Sequence, residues 1–324
     1  MYSWNDIIIS VEGNNTVFQD GIKKYINAVY IHDYEESCDI KTTICNSTQT
    51  DIPPIPKTAK KIKSLVLDFG IEIRLDIFSY ESQLWYIYRD IAGVWFDYMK
   101  NELIVCLSDM PLDFEYANIQ LFFLHPLGAM LENMGFYRIK AGCVSIGENS
   151  VLLTGTGSSG KSAAALSVPV HGGKMVSDDI TFLYKDENGY HPSSLSSLVK
   201  IGAKSITRYY PELNLLHEAA HYENETYFFM EDINSTRPEE TRLENIVLLD
   251  NLDKNLTEYK ETHPAQILQQ LFPTTIHTNI DEVAGSKFIF ITDLLNEIKT
   301  YKMSLYSDIP MFYKNIQKLI NKSD

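Results

Sequence analysis

Eight consecutive residues, Gly155, Thr156, Gly157, Ser158, Ser159, Gly160, Lys161 and Ser162, satisfy the spacing G-x-x-x-x-G-K-[ST]. Each fixed position of that pattern has a mechanical reason. Gly155 and Gly160 allow backbone angles that a β-carbon forbids, so successive N–H groups can turn inward around phosphate oxygens. Lys161 then reaches the β- and γ-phosphates, and the Ser162 hydroxyl is placed to ligate Mg²⁺. An apolar run at residues 151–153 precedes the loop, and the Ala- and Leu-rich segment 162–167 follows it. That is the strand, loop, helix order the chemistry requires, with the helix N-terminus aimed at the anion. These residues point to nucleotide-dependent phosphoryl transfer.

Asp178 and Asp179 arrive only a helix and a turn later. Gly172 and Gly173 stop the helix, and Met175, Val176 and Ser177 read as a strand that delivers the acidic pair. Adjacent side chains on an extended segment point to opposite faces. At a strand end, local twist can aim both at the phosphates, one as metal ligand and one as base toward a substrate hydroxyl. In the plainer alternative one aspartate is functional and the other caps the turn.

With these residues in view, the block 121–184 resembles the HPr kinase family, whose fold is similar to phosphoenolpyruvate carboxykinase rather than to ordinary P-loop kinases. In that family a Walker loop is followed by a short helix, a Gly-containing turn and a strand ending in Asp-Asp, as HGGKMVSDDI does at residues 171–180. The resemblance implies an ATP- and Mg²⁺-dependent serine kinase in which Asp178 is the base and Asp179 helps to hold Mg²⁺. Similar small proteins occur beside peptide natural-product genes, and some phosphorylate a serine of a lasso-peptide precursor. The implied partner is thus a peptide or protein bearing a serine hydroxyl. Family members commonly carry a histidine upstream of the loop in a pattern like Leu-His-Ala. This chain has Ile139-Lys140-Ala141, so Lys140 stands where that histidine is expected. Lysine binds phosphate as a point charge, but it relays protons near neutral pH only if its pKa is strongly lowered. That departure argues against phosphorylase activity. The family's C-terminal signature has no convincing copy here, so the expected acceptor is something other than HPr itself.

Further cations are needed around a transferring phosphoryl group. Lys200, Lys204 and Arg208 are candidates, with Arg237 and Arg242 from NSTRPEETR. Arg237, before Pro238 on an extended loop placed to close over ATP, is the first choice. His171, at the turn before Gly172, reads as structural.

One motif competes. His217-Glu218-Ala219-Ala220-His221 is a formal H-E-x-x-H, which on a helix sets two imidazoles one turn apart for Zn²⁺. Pro211 would open that helix and carry it to about residue 222, and Glu239, Glu240 or Glu244 would supply a third ligand. No third histidine follows at metzincin spacing, so a zinc peptidase ranks last among the alternatives. Ahead of it stand a small-molecule kinase of the same fold, acting for instance on free serine, and a non-catalytic nucleotide-binding regulator.

The whole chain must position this machinery. Its 324 residues are 44% hydrophobic and 12% aromatic, enough for one large or two moderate cores. With 28 basic and 43 acidic residues the net charge is −15, which disfavours general nucleic-acid binding. Four scattered cysteines (Cys38, Cys45, Cys106, Cys143) form no C-x-x-C pair and suggest neither a zinc knuckle nor a disulfide framework. The start lacks the features of a secretory signal and no stretch is apolar enough to span a bilayer, so a cytoplasmic protein with no membrane partner is expected. A homo-oligomer is compatible with the sequence.

Two regions are expected. Residues 1–114 alternate short β-rich runs (6–11, 25–31, 63–73, 84–88, 94–98, 103–107) with turns, and read as a mostly β N-terminal domain. Residues 115–324 read as an α/β P-loop catalytic domain. It begins with a helical stretch at 113–133 interrupted at Pro126. Strands follow near 139–146, 151–154, 180–184, 195–201, 227–230, 246–249 and 301–305, and helices near 264–271, 292–299 and 310–322.

Overall fold

The computed structural model describes residues 1–31, 37–47, 51–68, 71–107, 111–156, 159–211, 213, 220–222, 225–233, 241–250, 258–275, 281–304 and 309–321. The fold is mixed α/β with several sheets. The chain divides into two compact units, Met1–Met134 and Gly135–Asp324. No helix among the described residues is long and apolar enough to cross a membrane.

The first unit holds β1 (Tyr2–Trp4), β2 (Ile7–Gly13), α1 (Thr16–Tyr25), β3 (Val29–Tyr30), β4 (Ile40–Cys45), β5 (Lys60–Asp68), β6 (Glu72–Tyr80), β7 (Gln83–Tyr88), β8 (Ala92–Asp97), β9 (Glu102–Leu107), α2 (Glu115–Ile119) and α3 (His125–Asn133). All nine strands make one sheet in the order β3-β1-β2-β4-β9-β8-β7-β6-β5. Most neighbours are antiparallel, joined by tight turns such as Asn5-Asp6, whose φ values of 45° and 62° match a two-residue hairpin loop. Only the β2–β4 and β4–β9 pairs run parallel. The strand expected over 25–31 is shortened to β3, and helix α1, which was not expected, precedes it. Asn15 accepts from the Phe18 amide at 3.1 Å, and Phe18, Ile22 and Tyr25 bury one face. The run read as one strand over 63–73 is instead the hairpin of β5 and β6, with Asp68 opposite Glu72.

Pro126 does not interrupt the helical stretch as expected. A π-helical turn at Gln120–Leu124 joins α2 to α3, and the His125 amide reaches back to the Gln120 carbonyl. The wider turn absorbs the donor that proline lacks. It carries Phe122 and Phe123 into the core, where Tyr88 donates to the Leu121 carbonyl at 3.1 Å and meets Phe122 edge-on.

The second unit holds β10 (Tyr137–Ile139), β11 (Gly142–Ile146), β12 (Asn149–Thr154), α4 (Lys161–Val170), β13 (Lys174–Ser177), β14 (Thr181–Asp186), β15 (Gly189–Ser193), β16 (Leu198–Gly202), α5 (Ala203–Tyr209), β17 (Ala220–Tyr222), β18 (Glu225–Phe229), β19 (Arg242–Asp250), β20 (Tyr259–Glu261), α6 (Pro264–Thr275), α7 (Asp281–Glu297), β21 (Lys299–Ser304) and α8 (Ile309–Asn321). Its main sheet runs β13-β11-β12-β19-β21-β20, with β12, β19 and β21 parallel. Three-stranded sheets β10-β14-β15 and β16-β18-β17 flank it.

The main sheet is apolar on both faces, as a sheet covered on two sides must be. Val144, Val151, Leu153, Met175 and Val247 pack on one face with α4 and α8. Cys143, Leu152, Val176 and Ile246 pack on the other with α6 and α7. Leu152 lies at the centre of that second layer with no solvent exposure. Its truncation to alanine is expected to cost about 2–5 kcal/mol. Urea unfolding of Leu152→Ala against the parent protein measures this, and a loss under about 1 kcal/mol would contradict the two-sided core.

Candidate functional site

Strand β12 ends at Thr154, and the chain then passes through Gly155 to α4, giving the strand, loop, helix order at the carboxyl end of a parallel pair of strands. Clefts at such strand ends are the usual ligand sites of α/β sheets. Gly155 has φ +152°, and a β-carbon there would lie 2.6 Å from the Leu249 carbonyl oxygen and 3.0 Å from Ser159 Oγ. Gly160 is left-handed, φ +84°, and as the residue before the helix it puts no side-chain oxygen on the first-turn amides. Gly157 and Ser158 lie outside the described residues.

Lys161 turns back over its own loop and donates to the carbonyls of Gly155 at 2.9 Å and Thr156 at 3.0 Å. Burial draws its pKa down, and the nearby Asp179 and Asp178 act against that while Lys140 and Lys200 add to it. The Ser159 amide donates to the Thr156 carbonyl at 3.2 Å, which tightens the loop. Its hydroxyl is buried without a hydrogen-bond partner.

Helix α4 is buried from Ala163 to Pro169. It ends at His171, whose Nδ1 lies 2.7 Å from the Ser167 carbonyl and whose ring stacks on Tyr313 of α8. Gly173 then sits so close to the Ser145 carbonyl that a β-carbon would approach it to 2.7 Å. From there β13 runs beside β11 and delivers the acidic pair.

The turn that carries the aspartates is clamped from both sides. Ser177 Oγ and Thr181 Oγ1 share a hydrogen bond at 2.5 Å, and Thr181 Oγ1 donates to the Ala141 carbonyl at 2.8 Å. Behind it, a β-carbon on Gly142 would stand 2.5 Å from the Asp178 carbonyl oxygen. Asp178 is buried at 7% exposure, with Oδ2 accepting from the Lys200 amide at 3.0 Å and Oδ1 buried without a partner. Burial raises its pKa to about 6, aided by the charge of Asp179 and opposed by the Ser162 hydroxyl and the Lys200 amide. Asp179, its neighbour, is far more open and forms an ion pair with Lys140.

Lys140, Lys161, Ser162, Asp178, Asp179 and Lys200 are therefore one constellation, assembled from the β10–β11 turn, the α4 N-terminus, the turn after β13, and β16. Other expected residues stand elsewhere. Arg242 begins β19 opposite Asn149, and Thr154 is five residues further along β12. At about 3.3 Å per residue that places it roughly 16 Å from the loop end of the sheet. Its Nε lies 3.3 Å from Glu244, so the two residues pair at that far end of the strand. Lys204 is exposed on α5, and the Arg208 guanidinium lies over the Tyr209 ring. Arg237, Glu239 and Glu240 fall outside the described residues, as do His217, Glu218 and Ala219. His221 belongs to β17, whose residues pair with β18, so the helix expected through residue 222 gives way to an extended strand. An H-E-x-x-H helix needs its second histidine on the same helical face, and that requirement is not met.

Sequence reading missed Gly142, Ser177, Thr181 and the Lys200 amide. A glycine placed directly after Ala141 at the start of a strand was the only available sign of a close backbone approach.

No protein-family model matches the chain, and no curated protein matches it. Among solved structures the chain is similar to the HPr(Ser) kinase/phosphatase from Coxiella burnetii. The similarity covers 57% of this chain and 94% of that one, at 15% identity and a TM-score of 0.28.

The buried carboxyl of Asp178 generates a measurable pH dependence. Unfolded, it releases its proton near 3.8, whereas in the fold it keeps it up to about 6. The folded state binds more protons across that window, so this group's contribution falls as pH rises through about 6, by on the order of 3 kcal/mol. In urea unfolding of the nucleotide- and metal-free protein, Asp178→Asn should gain stability over the parent between pH 4 and pH 7. An unchanged difference between the two proteins across that range would contradict the burial.

Proposed function

We propose that the second unit is an ATP- and Mg²⁺-dependent kinase of the HPr kinase type, transferring the γ-phosphoryl group to a serine hydroxyl of a peptide or protein. The observation that carries this reading is the buried Asp178 carboxylate: one oxygen is tied to a backbone amide, the other is unpartnered, and both sit in a cluster with Lys161 and Ser162 of a glycine-hinged loop. A buried acceptor with a pKa near neutrality suits a general base.

The residues present fit a nucleotide and a divalent cation. Gly155 and Gly160 shape a loop in which a side chain would clash or strain, and the Ser159 hydroxyl and Asp178 Oδ1 are buried polar atoms in want of partners. The backbone of residues 155–160 and the α4 N-terminus would hold the phosphates, and Ser162 and Asp179 the metal. When bound, the nucleotide supplies the phosphoryl group and Mg²⁺ offsets its charge.

The chain's own groups then have distinct tasks. Lys161 exchanges its two loop carbonyls for phosphate oxygens and carries positive charge to the transferred group. Asp178 Oδ1 accepts the proton of the serine hydroxyl, while the Lys200 amide fixes the orientation of the carboxylate. Lys140 neutralises Asp179 in the resting protein and, once displaced from it, remains close by as a point charge. A lysine there does not serve as a proton relay, which fits transfer in one direction. Arg237 is kept as a candidate closing cation. Two serine-bearing acceptor classes suit such a base: peptides, including natural-product precursors, and free serine.

The test is transfer of labelled γ-phosphate from ATP with Mg²⁺ to HPr, serine peptides and free serine. Lys161→Ala should weaken nucleotide binding. Asp178→Asn should retain nucleotide binding and lose transfer by about 10²–10⁴-fold, the usual contribution of a general base. Transfer that survives in Asp178→Asn with unchanged nucleotide binding would overturn the assignment. Tight ATP binding by the parent protein with no transfer to any acceptor would favour a nucleotide-binding regulator, a reading that the Lys140–Asp179 ion pair supports.

A further inference from the structure

Away from that constellation, the first unit brings two thiols and a carboxylate together. Cys45 on β4 and Cys106 on β9 are register partners on adjacent parallel strands, near the carboxyl ends of both. Their Sγ atoms and a carboxylate oxygen of Asp51 all lie within 4.8 Å of one another, and among the described residues no other such group of three occurs. Both thiols are free. Cys106 is buried, Cys45 half-buried and Asp51 exposed, so the group runs from the sheet to the surface.

The surroundings hold these donors in place. Ser47 Oγ donates to Asp51 Oδ2 at 2.6 Å, which fixes one carboxylate oxygen. The ends of both strands are tied to the start of α1. Asn15 Nδ2 donates to the Leu107 carbonyl at 3.3 Å, and the Asn46 amide donates to Asn14 Oδ1 at 2.6 Å. Two donors on strands, one on a braced loop and a hydroxyl behind the carboxylate are what a preorganised metal site requires. A reactive-cysteine role fits poorly. Cys106 is buried, whereas nucleophilic cysteines sit in electropositive, accessible surroundings.

We propose that Cys45, Cys106 and Asp51 bind a thiophilic divalent cation of the zinc class, with a fourth position open to solvent. Tetrahedral zinc with sulfur at about 2.3 Å and carboxylate oxygen at about 2.1 Å sets its donors roughly 3.5–3.8 Å apart. From its outer limit of 4.8 Å the cluster needs to close by at most about 1.3 Å, which side-chain rotation provides. Each thiol passes its proton to solvent as its metal–sulfur bond forms, so two thiolates and one carboxylate meet the dication and leave one net negative charge. Soft sulfur donors exclude Mg²⁺ and Ca²⁺ and select zinc-like ions. The site is independent of the kinase reading, since it uses none of the residues assigned there.

Cobalt(II) is the probe, added to the reduced, metal-stripped full chain. One equivalent should produce sulfur-to-cobalt charge-transfer absorption that zinc displaces. Cys45→Ser and Cys106→Ala should each abolish the band, with circular dichroism reporting that the fold of the buried variant persists. The surface changes Asp51→Asn and Ser47→Ala, which leave both thiols in place, should weaken binding by about tenfold or more. Cys38→Ser and Cys143→Ser should leave it unchanged. Absence of the band, or its survival in Cys45→Ser, would overturn the proposal. So would a mass deficit of two hydrogens in the unreduced protein joined to no metal uptake after reduction, which would assign the pair to a disulfide.

Discussion

A carboxylate held out of water has to be paid for by its surroundings, and the geometry around Asp178 follows from that constraint. One oxygen receives a backbone amide, the Ser162 hydroxyl lies close by, and the turn behind is gripped by the Ser177–Thr181–Ala141 chain of hydrogen bonds. These contacts offset only part of the lost hydration, and the raised pKa is the remainder. The turn is fixed on each side by neighbouring strands. Gly142 completes this, since only a residue without a β-carbon lets β11 run so near the Asp178 carbonyl.

The two aspartates differ because their surroundings differ. They are adjacent in sequence, yet one is buried with a neutral donor and the other is open to a lysine. Identical side chains thereby acquire separate electrostatic characters, which is how a site distributes acid–base and charge-holding tasks between chemically equal groups.

Much of this was readable in the chain. The strand, loop, helix order around residues 151–167 and the strand before Asp178 follow from local apolar runs and glycines, and the structure forms them as β12, α4 and β13. What was missed rests on interactions that leave no local mark. The Lys200 amide is a backbone donor, and any residue type there would supply it. Arg242 looked like a cation near the phosphates because it closes the segment NSTRPEETR, but sheet register alone sets it at the opposite end. Helix α1 had a readable cap in Asn15 and apolar residues at helical spacing, whereas α7 was foreshortened because its Phe-Ile-Phe-Ile stretch has strand-like propensity that tertiary packing overrides.

The way Lys161 rests on the Gly155 and Thr156 carbonyls has a consequence for discrimination among anions. An incoming anion must compete with two hydrogen bonds already made, so a ligand that offers a single weak contact gains little by displacing them. On the proposed reading, a polyphosphate would replace both and meet the loop amides as well, recovering more than it disrupts. If the loop takes a nucleotide as proposed, the self-bound lysine would act as a threshold that inorganic phosphate and chloride do not cross and a longer phosphate chain does.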